Sequence, residues 1–246
     1  MINSLIFPDW PAPESINAVS TTRHGGFSQP PYDQFNLANN VGDEPNFIIK
    51  NRNYLIDLAQ LPESPRWLNQ FHSTQVINSR DWPLNINADA IVSEQKNHVC
   101  SIMTADCLPL LLCNKQGNTV AAIHAGWRGL ATGVIEKAVA EFSCDPQDIM
   151  VWLGPAIGPN QFEVGSDVYQ SFIHHSTQAA QAFRQTDNHR YLADIYLLAR
   201  QRLTAIGIHA VFGGDLCTVS DNQQFFSYRR DNITGRMASM IWISSK

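Results

Sequence analysis

Three side chains in this 246-residue chain carry donor atoms from which chemistry could be built: Cys107 in TADC (104–107), His124 opening HAGWRG (124–129), and His72 in QFHSTQV (70–76). If the three segments converge they form a His2Cys set. Zinc accepts both donor types, and three protein ligands leave a fourth position open to water or substrate. A water bound there would ionise near neutral pH. The same residues also suit a metal-free mechanism, with Cys107 as a thiolate nucleophile activated by His124 or His72. Copper is a third option, because His2Cys sites with a weak axial Met hold blue copper and Met103 is nearby. Against it, the chain has no H-x-H pair from which a multicopper cluster could be made. The separations of 35 and 17 residues match no short zinc motif, so spacing alone leaves all three readings open. Asp106 could orient a histidine or cap a turn. His24, in TTRHGGFS (21–28), and the adjacent pair His174-His175 read as exposed histidines.

A second set of residues could hold an anion. HAGWRG leads into a helical pattern, its glycines permit close backbone approach, and Arg128 adds a fork of donors, so the segment reads either as an anion cradle or as a tight strand-to-helix turn. Arg229, Arg230 and Arg236 form the one basic cluster of the chain, beside Phe225, Phe226 and Tyr228, which suits a phosphate or carboxylate. Asn36, in FNLANNVGD (35–43), would bond a polar ligand or brace its own loop.

The elements that must position these groups follow from periodicity. Leu108–Cys113 and Thr119–His124 are short apolar runs bounded by turn residues, hence strands. Further strands are expected at 18–22, 88–92, 99–103, 149–153, 210–212 and 237–243, with strand pieces at 66–69 and 75–78. Helices are expected from Pro45 to the Leu61-Pro62 stop, over 128–142, from 166 to 172 and over 192–206. The polar stretch 174–190 reads as a surface excursion. Strands mixed with a few long helices suggest one α/β domain with a mixed sheet.

Composition narrows the function classes. A net charge of −5 and a pI near 5.9 argue against a nucleic-acid or anionic-membrane surface, which leaves a small-molecule substrate. The N-terminus has neither the basic nor the long apolar region of a signal peptide, and no apolar run approaches a membrane span, so a soluble cytoplasmic protein is expected. Five cysteines with no C-x-x-C pair indicate neither a disulfide framework nor a zinc ribbon. Cys100, Cys113 and Cys144 read as small core residues.

TTRHGGFS, FNLANNVGD, QFHSTQV, ADCLPLLL, HAGWRG, GPAIGP with FEVG, and FSYRRD followed by GR occur in the order seen in one known family. In these motifs the chain resembles the laccase-domain, or multicopper polyphenol oxidase-like, proteins, which include the peptidoglycan editing factor and purine nucleoside phosphorylase members. The resemblance covers nearly all of residues 1–246, with 174–190 outside it. It implies a single laccase-like α/β domain with a mixed sheet and flanking helices, similar to the catalytic domain of cytotoxic necrotizing factor. It also implies that His72, Cys107 and His124 are zinc ligands.

The activity expected first is that of a zinc-dependent purine nucleoside enzyme. It would phosphorolyse adenosine, inosine and methylthioadenosine, with Arg128, Arg229 or Arg230 holding phosphate, or deaminate adenosine with Asp106 as the available carboxylate. The alternative is a Cys107-dependent amidase that removes L-serine from a UDP-linked peptidoglycan precursor. Copper-dependent phenol oxidation ranks lower, as does a scaffold whose zinc is closed by Cys217 as fourth ligand.

Overall fold

In the computed structural model, which describes residues 3–83, 86–187 and 189–245, the apolar runs flanking the central turn become the middle of a sheet. Residues 1–2 of the proline-rich start and residue 188 of the polar stretch lie outside the described residues. In chain order the strands are β1 (Leu5–Ile6), β2 (Ile16–Thr21), β3 (Val76–Asn78), β4 (Ala90–Ser93), β5 (Cys100–Thr104), β6 (Leu108–Asn114) and β7 (Val120–Ala125). Then come β8 (Ile149–Leu153), β9 (Glu163–Gly165), β10 (Phe183–Asp187), β11 (Arg190–Ala193), β12 (Ala210–Gly213) and β13 (Met237–Ile243). The helices are α1 (Pro45–Leu58), α2 (Trp127–Thr132), α3 (Val134–Val139), α4 (Ser166–Ile173), α5 (Ile195–Ala205) and α6 (Tyr228–Asp231).

A six-stranded mixed sheet runs β12-β8-β6-β7-β4-β3, parallel at its two outer pairs and antiparallel between them. A four-stranded antiparallel sheet, β1-β2-β13-β5, packs against one of its faces. In β6, Leu108, Leu110 and Leu112 join Ile135, Ala138, Leu198 and Leu203 of α3 and α5, while Leu111 and Cys113 join Cys100, Ile102 and Ile241 of the second sheet. Burial on both faces is why the central strands read as continuous apolar runs. The far face of the four-stranded sheet, Val19 and Met240, packs on Leu55 of α1. The layers are therefore helix, sheet, sheet, helix. Each fully buried leucine contributes about 1.5–3 kcal/mol.

Four expectations need correction. The helix over 128–142 is two six-residue helices, because Gly133 takes φ 98° and its N–H bonds the carbonyl of Gly129, closing the first helix in a left-handed cap. The helix expected from Leu192 starts at Ile195, where the Asp194 side chain accepts from the N–H of Leu197 at 2.9 Å; Leu192 belongs to β11. The stretch 174–190 contains a 3-10 turn (Thr177–Ala182) and the β10–β11 hairpin, which extends through β11 to β9. Its few apolar residues do the anchoring: Ala179 and Ala182 are buried, and Phe183 meets Tyr169 edge-on at 5.1 Å. Arg66 and Asn69 make isolated bridges only, so the expected strand piece at 66–69 does not form.

Candidate active site

The strand register brings the donors together. β6 and β7 pair antiparallel with Leu108 opposite Ala125 and Pro109 opposite His124, so Cys107, one residue before β6, lies beside the end of β7. His72 arrives from the loop before β3. Cys107 Sγ lies 3.6 Å from His72 Nε2, and the rings of His72 and His124 meet edge-on with centroids 4.9 Å apart. Ligand atoms of His72, Cys107 and His124 all fall within 4.8 Å of one another. Gly126 makes the approach sterically feasible. A Cβ there would sit 2.5 Å from His72 Cδ2 and 3.3 Å from Cys107 Sγ.

Asp89, a residue not singled out by its sequence context, holds this arrangement. Its side chain is fully buried just before β4. One oxygen accepts from His124 Nδ1 at 2.7 Å and from the backbone N–H of His72 at 3.0 Å; the other accepts from Ser73 N at 2.6 Å and Ser73 Oγ at 2.7 Å. One carboxylate thus fixes the ring of one histidine and the backbone of the other. His72 itself sits at φ 63°, the left-handed region, which costs a non-glycine residue about 1–3 kcal/mol and persists only when neighbours over-determine it. A weak sequence signal existed: an acid immediately before an apolar strand, in ADAIV.

Asp106, read as orienting a histidine or capping a turn, makes no hydrogen bond to a histidine among the described residues. Its Oδ1 accepts from Thr218 Oγ1 at 2.6 Å and its Oδ2 from the N–H of Arg229 at 2.6 Å, while its carbonyl accepts from Ile157 N at 2.9 Å. With φ at 90°, Asp106 is a strained tether joining the cysteine to the GPAIGP loop, the 217–218 segment and α6. Tyr196 of α5 braces that loop further, its hydroxyl accepting from Ala156 N at 2.8 Å.

Charge follows geometry. Burial alone would raise the Cys107 thiol, but the charge and hydrogen bonds of His124, and then His72, outweigh it and bring it to about 6. Burial would lower His124, but the Cys107 thiolate and Asp89 raise it to about 9. Burial would raise Asp89; the hydrogen bonds from His124 and Ser73 overcome this and hold it at about 2. Without a metal, Cys107 and His124 therefore form a thiolate–imidazolium pair at neutral pH. A cation would displace the imidazolium proton.

The donor set fits zinc. Zn–S and Zn–N lengths of about 2.3 and about 2.0 Å at a tetrahedral angle require an S···N separation of about 3.5 Å, close to the 3.6 Å between Cys107 and His72. The Nδ1 of His124 is committed to Asp89, leaving Nε2 as the ligand atom, the carboxylate–histidine arrangement common at zinc. Cys217 lies outside the three-residue group, its sulfur instead accepting from Gly158 N at 3.3 Å and Ser220 N at 3.4 Å, so it does not close the site.

The donor set opens on a cavity of about 500 Å³ lined by apolar Leu68, Met103, Trp127, Ile157, Phe162 and Ile195 and by polar Asn40, Gln70, Thr104, Asp106 and Tyr228. That size suits a small-molecule ligand. Arg128 and Arg229 line it, as does Arg236. Arg128 is exposed, its guanidinium 4.3 Å from the centre of the Trp127 ring; Arg229 uses Nη1 on the carbonyls of Gln161 and Glu163. Arg230 is not brought to the cavity. Its donors are spent on the carbonyls of Thr218, Val219 and Phe225 and on Asp231. Nor is Asn36: fully buried, it gives Nδ2 to Ala38 O and Asp43 Oδ2 and takes the N–H groups of Ala38 and Arg236 on Oδ1. His24, expected in solvent, is half-buried, and its Nε2 is buried without a partner among the described residues.

The chain is similar along nearly its whole length to known proteins. The family model described as multi-copper polyphenol oxidoreductase laccase matches residues 17–244. The chain is 50% identical over 243 residues to a protein of Escherichia coli named purine nucleoside phosphorylase YfiH, covering 98% of this chain and 100% of that one. It is 47% identical to a Pseudomonas aeruginosa protein named purine nucleoside phosphorylase, covering 98% and 99% of the two chains. Among solved structures, a Neisseria meningitidis protein superposes with a TM-score of 0.96 at 44% identity, covering 99% of this chain and 100% of that one. Among the described residues, no helix is long and apolar enough to cross a membrane.

Proposed function

We propose, from the premise that this chain belongs to the multi-copper polyphenol oxidoreductase laccase family, that it is a cytoplasmic, zinc-dependent purine nucleoside phosphorylase acting on adenosine, inosine and methylthioadenosine. The observation that carries the proposal is that a three-donor set and the arginines Arg128 and Arg229 line one cavity. The names of the relatives at 47–50% identity point the same way.

In phosphorolysis an oxygen of HPO4²⁻ bonds to the anomeric carbon of the ribose as the glycosidic bond breaks. The electron pair of that bond leaves with the purine, and the phosphate's proton ends on the purine nitrogen. His72, Cys107 and His124 would hold the zinc, whose chemistry there is Lewis-acid polarisation of a substrate oxygen. Asp89 keeps the His124 ring turned so that Nε2 faces the site. Arg128 and Arg229 supply positive charge for the phosphate, and Trp127, Phe162 and Ile195 offer an apolar surface to a flat base and keep water away.

Deamination of adenosine is the weaker form of this reading. Zinc deaminases use a carboxylate to move protons, and among the described residues the one carboxylate lining the cavity, Asp106, has both oxygens engaged. A second reading rests on the chain from Cys107 through His124 to Asp89, which is also the layout of a thiol hydrolase. It supports a metal-independent amidase releasing L-serine from a UDP-linked cell-wall precursor. Copper-dependent phenol oxidation is lower again: the three donors suit one ion, and among the described residues no second such group is present.

Product analysis by chromatography separates these. Zinc-quantified protein incubated with adenosine should release adenine and ribose 1-phosphate only when phosphate is present, and Cys107→Ala should abolish the release. Inosine formed without phosphate would indicate deamination. If adenosine is untouched at full zinc occupancy, the nucleoside reading falls, and serine release that survives chelation but not alkylation would establish the amidase.

A further inference from the structure

Arg236 reaches the cavity from a segment held by a buried polar network. Its backbone N–H donates to Asn36 Oδ1 at 3.0 Å, and its carbonyl accepts from Leu37 N at 3.3 Å. Asn36 Nδ2 donates in turn to Asp43 Oδ2 at 2.9 Å, the same oxygen that accepts from Ser28 Oγ at 2.6 Å, and Ser28 Oγ accepts from Asn51 Nδ2 at 2.9 Å. Asn36 and Asn51 are fully buried and Ser28 nearly so. A satisfied buried network of this kind rigidifies what it touches. What it touches here is the cavity lining, since Ala38, Asn40 and Val41 lie on the same segment.

The guanidinium is only partly used. Nη1 donates to the carbonyls of Thr234 at 2.8 Å and Gly235 at 3.0 Å, while among the described residues Nε and Nη2 have no protein partner and no carboxylate lies within ion-pair reach. Arg230 six residues earlier has its donors engaged by the protein. Arg236 lines the same cavity as His72, Cys107 and His124; burial works against its charge, and the negative charges of Cys107 and Asp106 favour it. A half-buried arginine with free donors, no carboxylate within ion-pair reach among the described residues and a fixed backbone is a preformed anion ligand.

We propose that Arg236 binds the substrate's phosphate in this cavity and that Asn36 is the residue that positions it. This rests on the phosphorolytic reading above. Arg236 would hold the phosphate close to the donor set, where the bond to ribose must form, and Arg128 and Arg229 would add charge from exposed positions.

The test is calorimetric titration of inorganic phosphate into zinc-loaded protein, run beside the phosphate KM and adenosine KM of phosphorolysis. Arg236→Gln should weaken phosphate binding by about tenfold to a hundredfold, leaving zinc content and adenosine KM unchanged. Arg236→Lys, which keeps charge without the fork, should fall between. Asn36→Asp sets a carboxylate against Asp43 and should raise phosphate KM but not adenosine KM; adding Asp43→Asn should restore it, which a general loss of stability would not reproduce. Wild-type phosphate affinity in both Arg236 variants overturns the proposal while phosphorolysis by the parent protein stands. Unchanged phosphate KM in Asn36→Asp overturns the positioning role alone. A parent protein that neither binds phosphate nor cleaves adenosine removes both this proposal and the reading beneath it.

Discussion

The donor side and the arginine side of the cavity are built differently. His72, Cys107 and His124 come from strand ends and a short loop; Asp89, which is fully buried, fixes the ring of His124, which is 4% exposed, and the backbone of His72, whose side chain is exposed. Arg128 and Arg229 stand in solvent on α2 and α6, helices of six and four residues. The contrast matches the tolerance of each task. A metal must be held within a few tenths of an ångström, which sheet register and a buried carboxylate can deliver. Coulomb attraction falls off slowly with distance, so long side chains can capture an anion from exposed positions.

The contrast predicts that damage to the donor side spreads and damage to the arginine side stays local. Asp89→Ala should produce the largest effect. It removes one of the two negative partners of the buried His124 imidazolium, leaving Cys107 as the other. It also takes away a charged hydrogen bond, costing about 1.5–3 kcal/mol of stability, and loosens both histidines, costing about tenfold to a hundredfold in zinc affinity. Urea unfolding and competition with a chelator measure the two losses. Stability and affinity both unchanged would mean that Asp89 does not hold the site together.

Next in size is a paired substitution on the arginine side. Arg229→Gln should raise the phosphate KM by about tenfold with little change in stability. Arg230→Gln should do the reverse, costing about 1–3 kcal/mol through carbonyls left unpaired, with the phosphate KM intact. Thermal unfolding beside steady-state kinetics distinguishes them. Equal effects of the two would erase the difference drawn between neighbours.

Those neighbours show where the sequence runs out. Arg229 and Arg230 look equivalent in FSYRRD, yet successive helical residues point about 100° apart, and one lines the cavity while the other packs into the 218–225 loop. Asn36 could be read as a ligand or as a brace of its own loop, and its hydrogen bonds are those of a brace. By contrast the strands carrying the donors were legible within a residue or two, because both faces of β6 and β7 are buried and the turn residues Asn114–Asn118 bound them. Gly133 ended a helix that apolar spacing carried through it, since positive φ is a backbone event that spacing does not register. The β10–β11 hairpin was hidden because its strands are mostly exposed and polar. Asp89 escaped notice for a related reason: a single acid at a strand entrance acquires meaning only when the fold sets it under two histidines distant in sequence.

The smallest effect concerns pH. In metal-free protein, alkylation of Cys107 should slow only about twofold between pH 8 and pH 6, where an ordinary thiol of pKa about 8.5 slows nearly a hundredfold, because the thiol is held at about 6. Cys100 and Cys113, which burial pushes upward, should resist labelling throughout. Peptide mapping assigns the sites. A Cys107 profile like that of a free thiol would mean that His124 does not carry its proton.

The most direct test of the whole account is to strip the metal, titrate zinc back, and follow phosphate-dependent release of adenine from adenosine. The account predicts no release from stripped protein, recovery that saturates at one zinc per chain, and no recovery in Cys107→Ala. Undiminished release after stripping, or full activity in Cys107→Ala, would contradict it.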